Sequence, residues 1–66
     1  MKVKQFLNRY IVYRSKCKKA VVIDVLTGNR HPLTEREISE CVYGKVGSMK
    51  LNTFAITEDT IIIYAE

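Results

Sequence analysis

Hydrophobic positions alternate with others near the C-terminal end of this chain and recur three and four residues apart near its N-terminal end. Phe54, Ile56, Ile61 and Ile63 share one face if residues 57–60 form a turn, because side chains two apart in an extended chain point the same way. Ile56 then opposes Ile61, and Phe54 opposes Ile63, whether the loop has two residues or four. β-Branched and aromatic residues favour the pleated backbone, and each such cross-strand pair contributes about 0.2–1 kcal/mol beyond burial. Glu58-Asp59 suits a turn, although it lacks the glycine of the tightest hairpins. The opposite face carries Thr53, Ala55, Thr57, Thr60, Ile62 and Tyr64. Its threonines suit solvent; Ile62 and Tyr64 do not. The pattern predicts that a helix or loop of the same chain covers these two. A dimer or protein partner is the alternative, since uncovered apolar surface on a small domain marks interaction sites.

Val3, Phe6, Leu7, Tyr10 and Ile11 fall at i, i+3, i+4, i+7 and i+8, one face of a helix over residues 3–11. Tyr10 to Tyr13 also fits a strand that would pair with residues 20–25. Residues 20–26 follow as a strand. Val21, Ile23 and Val25 lie on one side and Ala20, Val22, Asp24 and Leu26 on the other, so both faces are largely apolar and the strand is expected to be central. Thr27-Gly28-Asn29 makes a turn, and Pro32 confines any short returning strand at Arg30-His31 to an edge.

A second helix has the clearest start in the chain. Thr34 is an N-cap, Glu37 completes a capping box, and Leu33 with Ile38 forms a hydrophobic staple. Ile38, Cys41 and Val42 are its expected buried stripe, and Gly44 its expected stop. The order α-β-(β)-α-β-β predicts one α+β domain over residues 1–66, a three- or four-stranded antiparallel sheet with two helices on one face. The strand at 20–26 is expected beside 51–57 or 60–65.

At 66 residues, 47% hydrophobic and 27% charged, the chain is ordinary for a globular domain. A chain this short buries only about 60% of its unfolded surface, so oligomerisation or a well-packed small core is expected. The longest apolar runs are too short to span a bilayer, and no signal peptide opens the chain. A cytoplasmic location with reduced cysteines is therefore expected.

Charge is distributed unevenly. Residues 1–23 carry Lys2, Lys4, Arg9, Arg14, Lys16, Lys18 and Lys19 with no acid, whereas residues 24–66 hold four basic and seven acidic side chains. Such asymmetry fits a polyanionic or acidic partner; a solvated basic face fits it too. Arg9, Tyr13, Arg14, Lys16, Lys18 and Lys19 form the stretch where basic and aromatic residues interleave, the arrangement by which phosphates are neutralised and a base is stacked.

Candidate chemistry is sparse. His31 is the one histidine and sits beside a proline in a turn region. Cys17 lies among lysines that can lower a thiol pKa, but no histidine–acid pair is spaced to use it. Cys17 and Cys41 lack metal-ligand spacing, and Gly44 to Ser48 lacks the spacing of a phosphate loop. No catalytic, cofactor or metal site is expected.

The layout resembles that of short accessory proteins encoded by phages and mobile elements of Gram-positive bacteria. The resemblance rests on the N-terminal helix, on Val21-Val22-Ile23-Asp24-Val25 followed by Thr27-Gly28, on the second helix, and on the ending Thr57-Glu58-Asp59-Thr60-Ile61-Ile62-Ile63-Tyr64. The basic, cysteine-containing stretch is not part of it. The resemblance implies an accessory role through binding, such as modulating a host protein or blocking a defence system.

Three functions follow as expectations. The leading one is a non-enzymatic binding or regulatory protein that uses Ile62 and Tyr64 or the basic segment against a protein partner. The others are a nucleic-acid-binding module using residues 9–19 and a small-ligand binder at a subunit interface, with a homodimer among the options.

Overall fold

The computed structural model describes residues 1–10, 19–57 and 59–66. In chain order these form helix α1 (Val3–Tyr10), strands β1 (Lys19–Asp24) and β2 (Arg30–Leu33), helix α2 (Glu35–Glu40), a 3-10 turn (Gly44–Ser48), and strands β3 (Leu51–Ile56) and β4 (Thr60–Ala65). This is the expected α+β order, with β2 realised as an edge strand that accommodates Pro32.

The four strands lie in the order β2-β1-β4-β3. The hairpin pairs as its alternation predicts, with Ile56 opposite Ile61 and Phe54 opposite Ile63. The expectation of an all-antiparallel sheet is corrected by its centre, where β1 and β4 run parallel from Lys19↔Thr60 to Asp24↔Ala65. The connection from β2 to β3 explains this. It passes through α2 and the 3-10 turn and returns the chain to the end of the sheet where β2 began. β3 then runs parallel to β2 along the far edge, and β4 turns back into the gap beside β1. Parallel neighbours need such a crossover; a tight turn cannot join them.

The core forms where one face of this sheet meets α1 and α2. Val3 and Leu7 of α1, Val22 of β1 and Ile61 and Ile63 of β4 are fully buried, and Ile38 of α2 joins the same cluster. Burial of each large side chain stabilises the fold by about 1.5–3 kcal/mol. Ile11 and the Tyr10–Tyr13 strand alternative lie outside the described residues, although the backbone of Tyr10 is helical. Phe54 and Ile56 point to the core side but keep 39% and 46% of their surface, because β3 is an edge strand with α1 covering only part of it. The Phe54 ring rests on Phe6, with centroids 4.6 Å apart.

The start of α2 is as expected: Thr34 Oγ1 accepts from the Glu37 amide, and Glu37 Oε1 accepts from the Thr34 amide. The carboxylate's hydrogen bond from the Thr34 amide, and after it one with the Thr34 hydroxyl, hold the Glu37 carboxyl below its ordinary pKa. The end of α2 is a correction. Cys41 adopts a left-handed conformation (φ 57°), and the amides of Cys41 and Val42 bond back to the last turn. The helix therefore ends at Glu40, four residues before Gly44. Of its expected stripe only Ile38 is buried, while Cys41 and Val42 are exposed beyond its end. Gly44, at φ 61°, instead opens the 3-10 turn, which packs on α1.

Candidate functional site: the face of the sheet opposite the helices

Alternation along β1 and β4 sends half of each strand into the core and half to the opposite face. On β1, Ala20 and Val22 are buried while Val21 and Ile23 are half-buried; on β4, Ile61, Ile63 and Ala65 are buried while Ile62 and Tyr64 are half-buried. Both described helices pack on the first side. The prediction that the chain's own helix or loop covers Ile62 and Tyr64 is thus not met among the described residues.

The registers put these residues in rows across the sheet. One row runs Arg30, Ile23, Tyr64, Thr53, and the next runs Pro32, Val21, Ile62, Ala55. Val21, Ile23, Ile62 and Tyr64 line a shallow hollow of about 150 Å³ with Arg30 and Thr60. That is smaller than the roughly 300–1,000 Å³ of a typical small-molecule site. The patch suits another surface better than an enclosed ligand. Central parallel strands are ordinarily covered on both faces, and here one face of β1 and β4 lacks a second layer among the described residues.

The two ends of this face are charged. At one end Lys50 and Glu66 exchange both backbone hydrogen bonds, and Lys2 bridges to Lys50 from the outer side. At the other end Lys19 lies beside the hairpin turn, with its Nζ 3.8 Å from Asp59 Oδ2. Both members of that pair are well exposed, so the pair contributes no more than about 1 kcal/mol.

Of the residues expected to act, Ile62 and Tyr64 fall together on this face. The sequence reading missed Val21 and Ile23 beside them. Their signal was the two-faced apolar pattern of β1, which gave the centrality of the strand but not its neighbour. Arg9 is exposed in the last turn of α1, and Lys19 begins β1. Tyr13, Arg14, Lys16, Lys18 and Cys17 lie outside the described residues.

A second hollow, about 440 Å³, is lined by Lys19, Leu33, Thr34, Glu35 and Asp59. Among its polar groups, Lys19 pairs with Asp59 and Thr34 caps α2. His31 and Cys41 are both exposed, and no three His, Cys, Asp or Glu side chains among the described residues converge as metal ligands. No helix among the described residues is long and apolar enough to cross a membrane. Comparisons with protein-family models, with curated proteins and with solved structures each return no match.

Proposed function

We propose that this chain is a small non-enzymatic binding protein that acts by docking the uncovered face of its sheet onto a protein surface. One observation carries the reading: Val21, Ile23, Ile62 and Tyr64 form a contiguous half-buried apolar patch that no described element covers. Interface centres are rich in aromatic and aliphatic residues and poor in charge, with a polar rim. This patch has that composition, with Arg30, Thr53 and Thr60 around it. The resemblance to phage and mobile-element accessory proteins supports a modulatory role in the same way, through occupation of a host protein's surface.

The test is affinity capture of the tagged chain beside its Ile62→Lys variant, with and without nuclease. A lysine at the centre of the patch places a charge in a dry interface, while the folded domain keeps it in solvent. Loss of nuclease-resistant protein partners in the variant, with an unchanged melting temperature, is the expected result. A catch that is identical for both proteins overturns the reading, and a catch abolished by nuclease moves the function to nucleic-acid binding.

A further inference from the structure

We infer that the outer surface of α1 and the 3-10 turn binds the phosphate backbone of double-stranded DNA. This surface lies across the sheet from Ile62 and Tyr64, and the inference is independent of the docking reading above.

The fold assembles the surface from two segments far apart in the chain. Residues 1–10 supply Lys2, Lys4 and Arg9, and residues 41–57 supply Lys45 and Lys50; neither segment contains an aspartate or a glutamate. The 3-10 turn packs on α1, with Gly47 against the Cβ of Lys4 and Lys45 two residues away in the same turn. Lys2 bridges to Lys50 just before β3. Residues 24–66 are acidic overall, so the place of Lys45 and Lys50 beside α1 comes from the fold and not from charge order along the chain. All five side chains are exposed. Among the described residues none of the five forms an ion pair; the pairs that do form are Lys19–Asp59 and Arg36–Glu40. Glu66, whose backbone bonds to Lys50, is the acid at the border. Gathered cations repel one another, and a bound polyanion relieves that repulsion.

The neutral side chains between them present the same chemistry. Gln5 Oε1 accepts from the Lys2 amide, and Asn8 Oδ1 accepts from the Tyr43 hydroxyl. Each side-chain amide thus spends its acceptor within the molecule and keeps its NH2 donors for the outside. Ammonium, guanidinium and amide donors together match phosphate oxygens, which only accept.

Other polyanions fit less well. Val3, Phe6 and Leu7 place the apolar face of α1 in the core, so the helix has none to sink into a lipid surface. The rings that pack with α1 are engaged in the fold: Phe6 and Tyr43 are buried, and Phe54 rests on Phe6. A protein interface centre or a stacked single strand calls for such rings on the surface. Neither amide keeps an acceptor for the 2′-hydroxyl that marks RNA. The eight residues of α1 span about 12 Å, over which a duplex carries about seven phosphate charges. Each of the cations therefore has a phosphate within its stretch of backbone.

Fluorescence anisotropy of the full chain with a labelled DNA duplex of about 20 base pairs, at about 50 to 200 mM NaCl, tests this. With about four or five phosphate contacts, the logarithm of the binding constant should fall with a slope of about −4 in the logarithm of salt, a loss of about 250-fold across that range. Lys4→Gln with Lys45→Gln should reduce the slope to about −2, each lost contact removing about one, with an unchanged circular dichroism spectrum. Lys19→Gln with Arg36→Gln removes the same net charge from paired positions and should leave the slope as it was. Ile62→Lys should bind at least as tightly as wild type. No binding at the lowest salt overturns the inference. So does an equal loss in the Lys19 and Arg36 variant, which assigns the effect to net charge, or dependence on Arg14, Lys16 and Lys18 in place of Lys4 and Lys45. Tighter binding to single-stranded DNA, duplex RNA or polyglutamate also overturns it. If DNA binding is absent while Ile62→Lys loses a captured protein, the docking reading stands and this surface is excluded. If DNA binding follows Lys4 and Lys45 while capture is indifferent to Ile62→Lys, this surface stands and the docking reading falls.

Discussion

The Tyr43 hydroxyl donates a 2.9 Å hydrogen bond to Asn8 Oδ1, joining the segment after α2 to the last turn of α1. Tyr43 is otherwise buried, with 6% of its surface exposed. Burial, reinforced by a hydrogen bond and a like-charge interaction with Cys41, pushes its pKa up to about 12. The folded state therefore holds the phenolic proton more tightly than the unfolded chain, whose tyrosines ionise near pH 10. Stability from this group is complete below pH 10 and declines as pH rises from 10 towards 12. Tyr43→Phe should flatten that decline and lower stability at neutral pH by about 0.5–1.5 kcal/mol through loss of the bond to Asn8. Chemical denaturation at pH 7, 10 and 11.5 measures both effects; parallel pH profiles for the two proteins would count against the assignment.

Thr34→Ala removes the side-chain acceptor for the Glu37 amide and should cost about 1 kcal/mol. The reciprocal bond from the Thr34 amide to Glu37 predicts an acid limb. The Glu37 carboxyl titrates lower in the folded state, so its contribution is present above the ordinary glutamate pKa and is lost as pH falls through the depressed value. In Thr34→Ala that carboxyl should titrate closer to its ordinary value, which NMR titration of Glu37 Cδ would report. An unmoved titration midpoint would show that the cap does not set it.

The ending of α2 gives a prediction of opposite sign. Cys41 is a non-glycine residue at positive φ, exposed at the point where the helix is closed by bonds to Glu37 and Ile38. A left-handed conformation costs an ordinary L-residue about 1–2 kcal/mol, and glycine adopts it freely. Glycine's extra freedom in the unfolded chain offsets about 0.4–1 kcal/mol of that. Cys41→Gly should therefore raise stability by about 0.5–1 kcal/mol, and Cys41→Val should lower it. Thermal melts of both variants check the ordering.

What the sequence made legible follows from how local each signal is. The cap at Thr34 and the pairing of Phe54 with Ile63 depend on neighbours within a few residues, and both were readable. The face opposite the helices was only half readable. Ile62 and Tyr64 stood out as apolar residues on a threonine-rich face, but the identity of their neighbours needed β4 to be placed beside β1, across a separation of some 40 residues. Pattern alone carries no such information, because a twofaced apolar strand fits parallel and antiparallel neighbours alike. The misplaced end of α2 has a different cause. Gly44 is a good stop signal, and nothing in the letters of Cys41 announces a left-handed residue. Gly44 was free to start a new turn because the helix had already closed on its own carbonyls.

Gly47 is a position where the 3-10 turn lies close to both Tyr43 and α1. A Cβ placed there would lie 3.1 Å from the Cβ of Tyr43 and 3.3 Å from the Cβ of Lys4. Both neighbours are Cβ atoms fixed to backbone, so rotation of a side chain cannot make room, and the backbone itself must give by a few tenths of an ångström. Gly47→Ala is expected to cost about 1–3 kcal/mol, the usual range for overpacking. Gly44, three residues earlier, makes a useful control. A Cβ there meets nothing within 4 Å, but its φ of +61° strains any L-residue. Asparagine tolerates that conformation better than alanine does, so Gly44→Asn should be milder than Gly44→Ala. At Gly47 asparagine should be at least as damaging as alanine, because the obstacle is volume and not backbone angle. Urea denaturation of the four variants separates the two causes, and a Gly47→Ala protein as stable as wild type would mean that the turn and α1 are not held at this distance in solution.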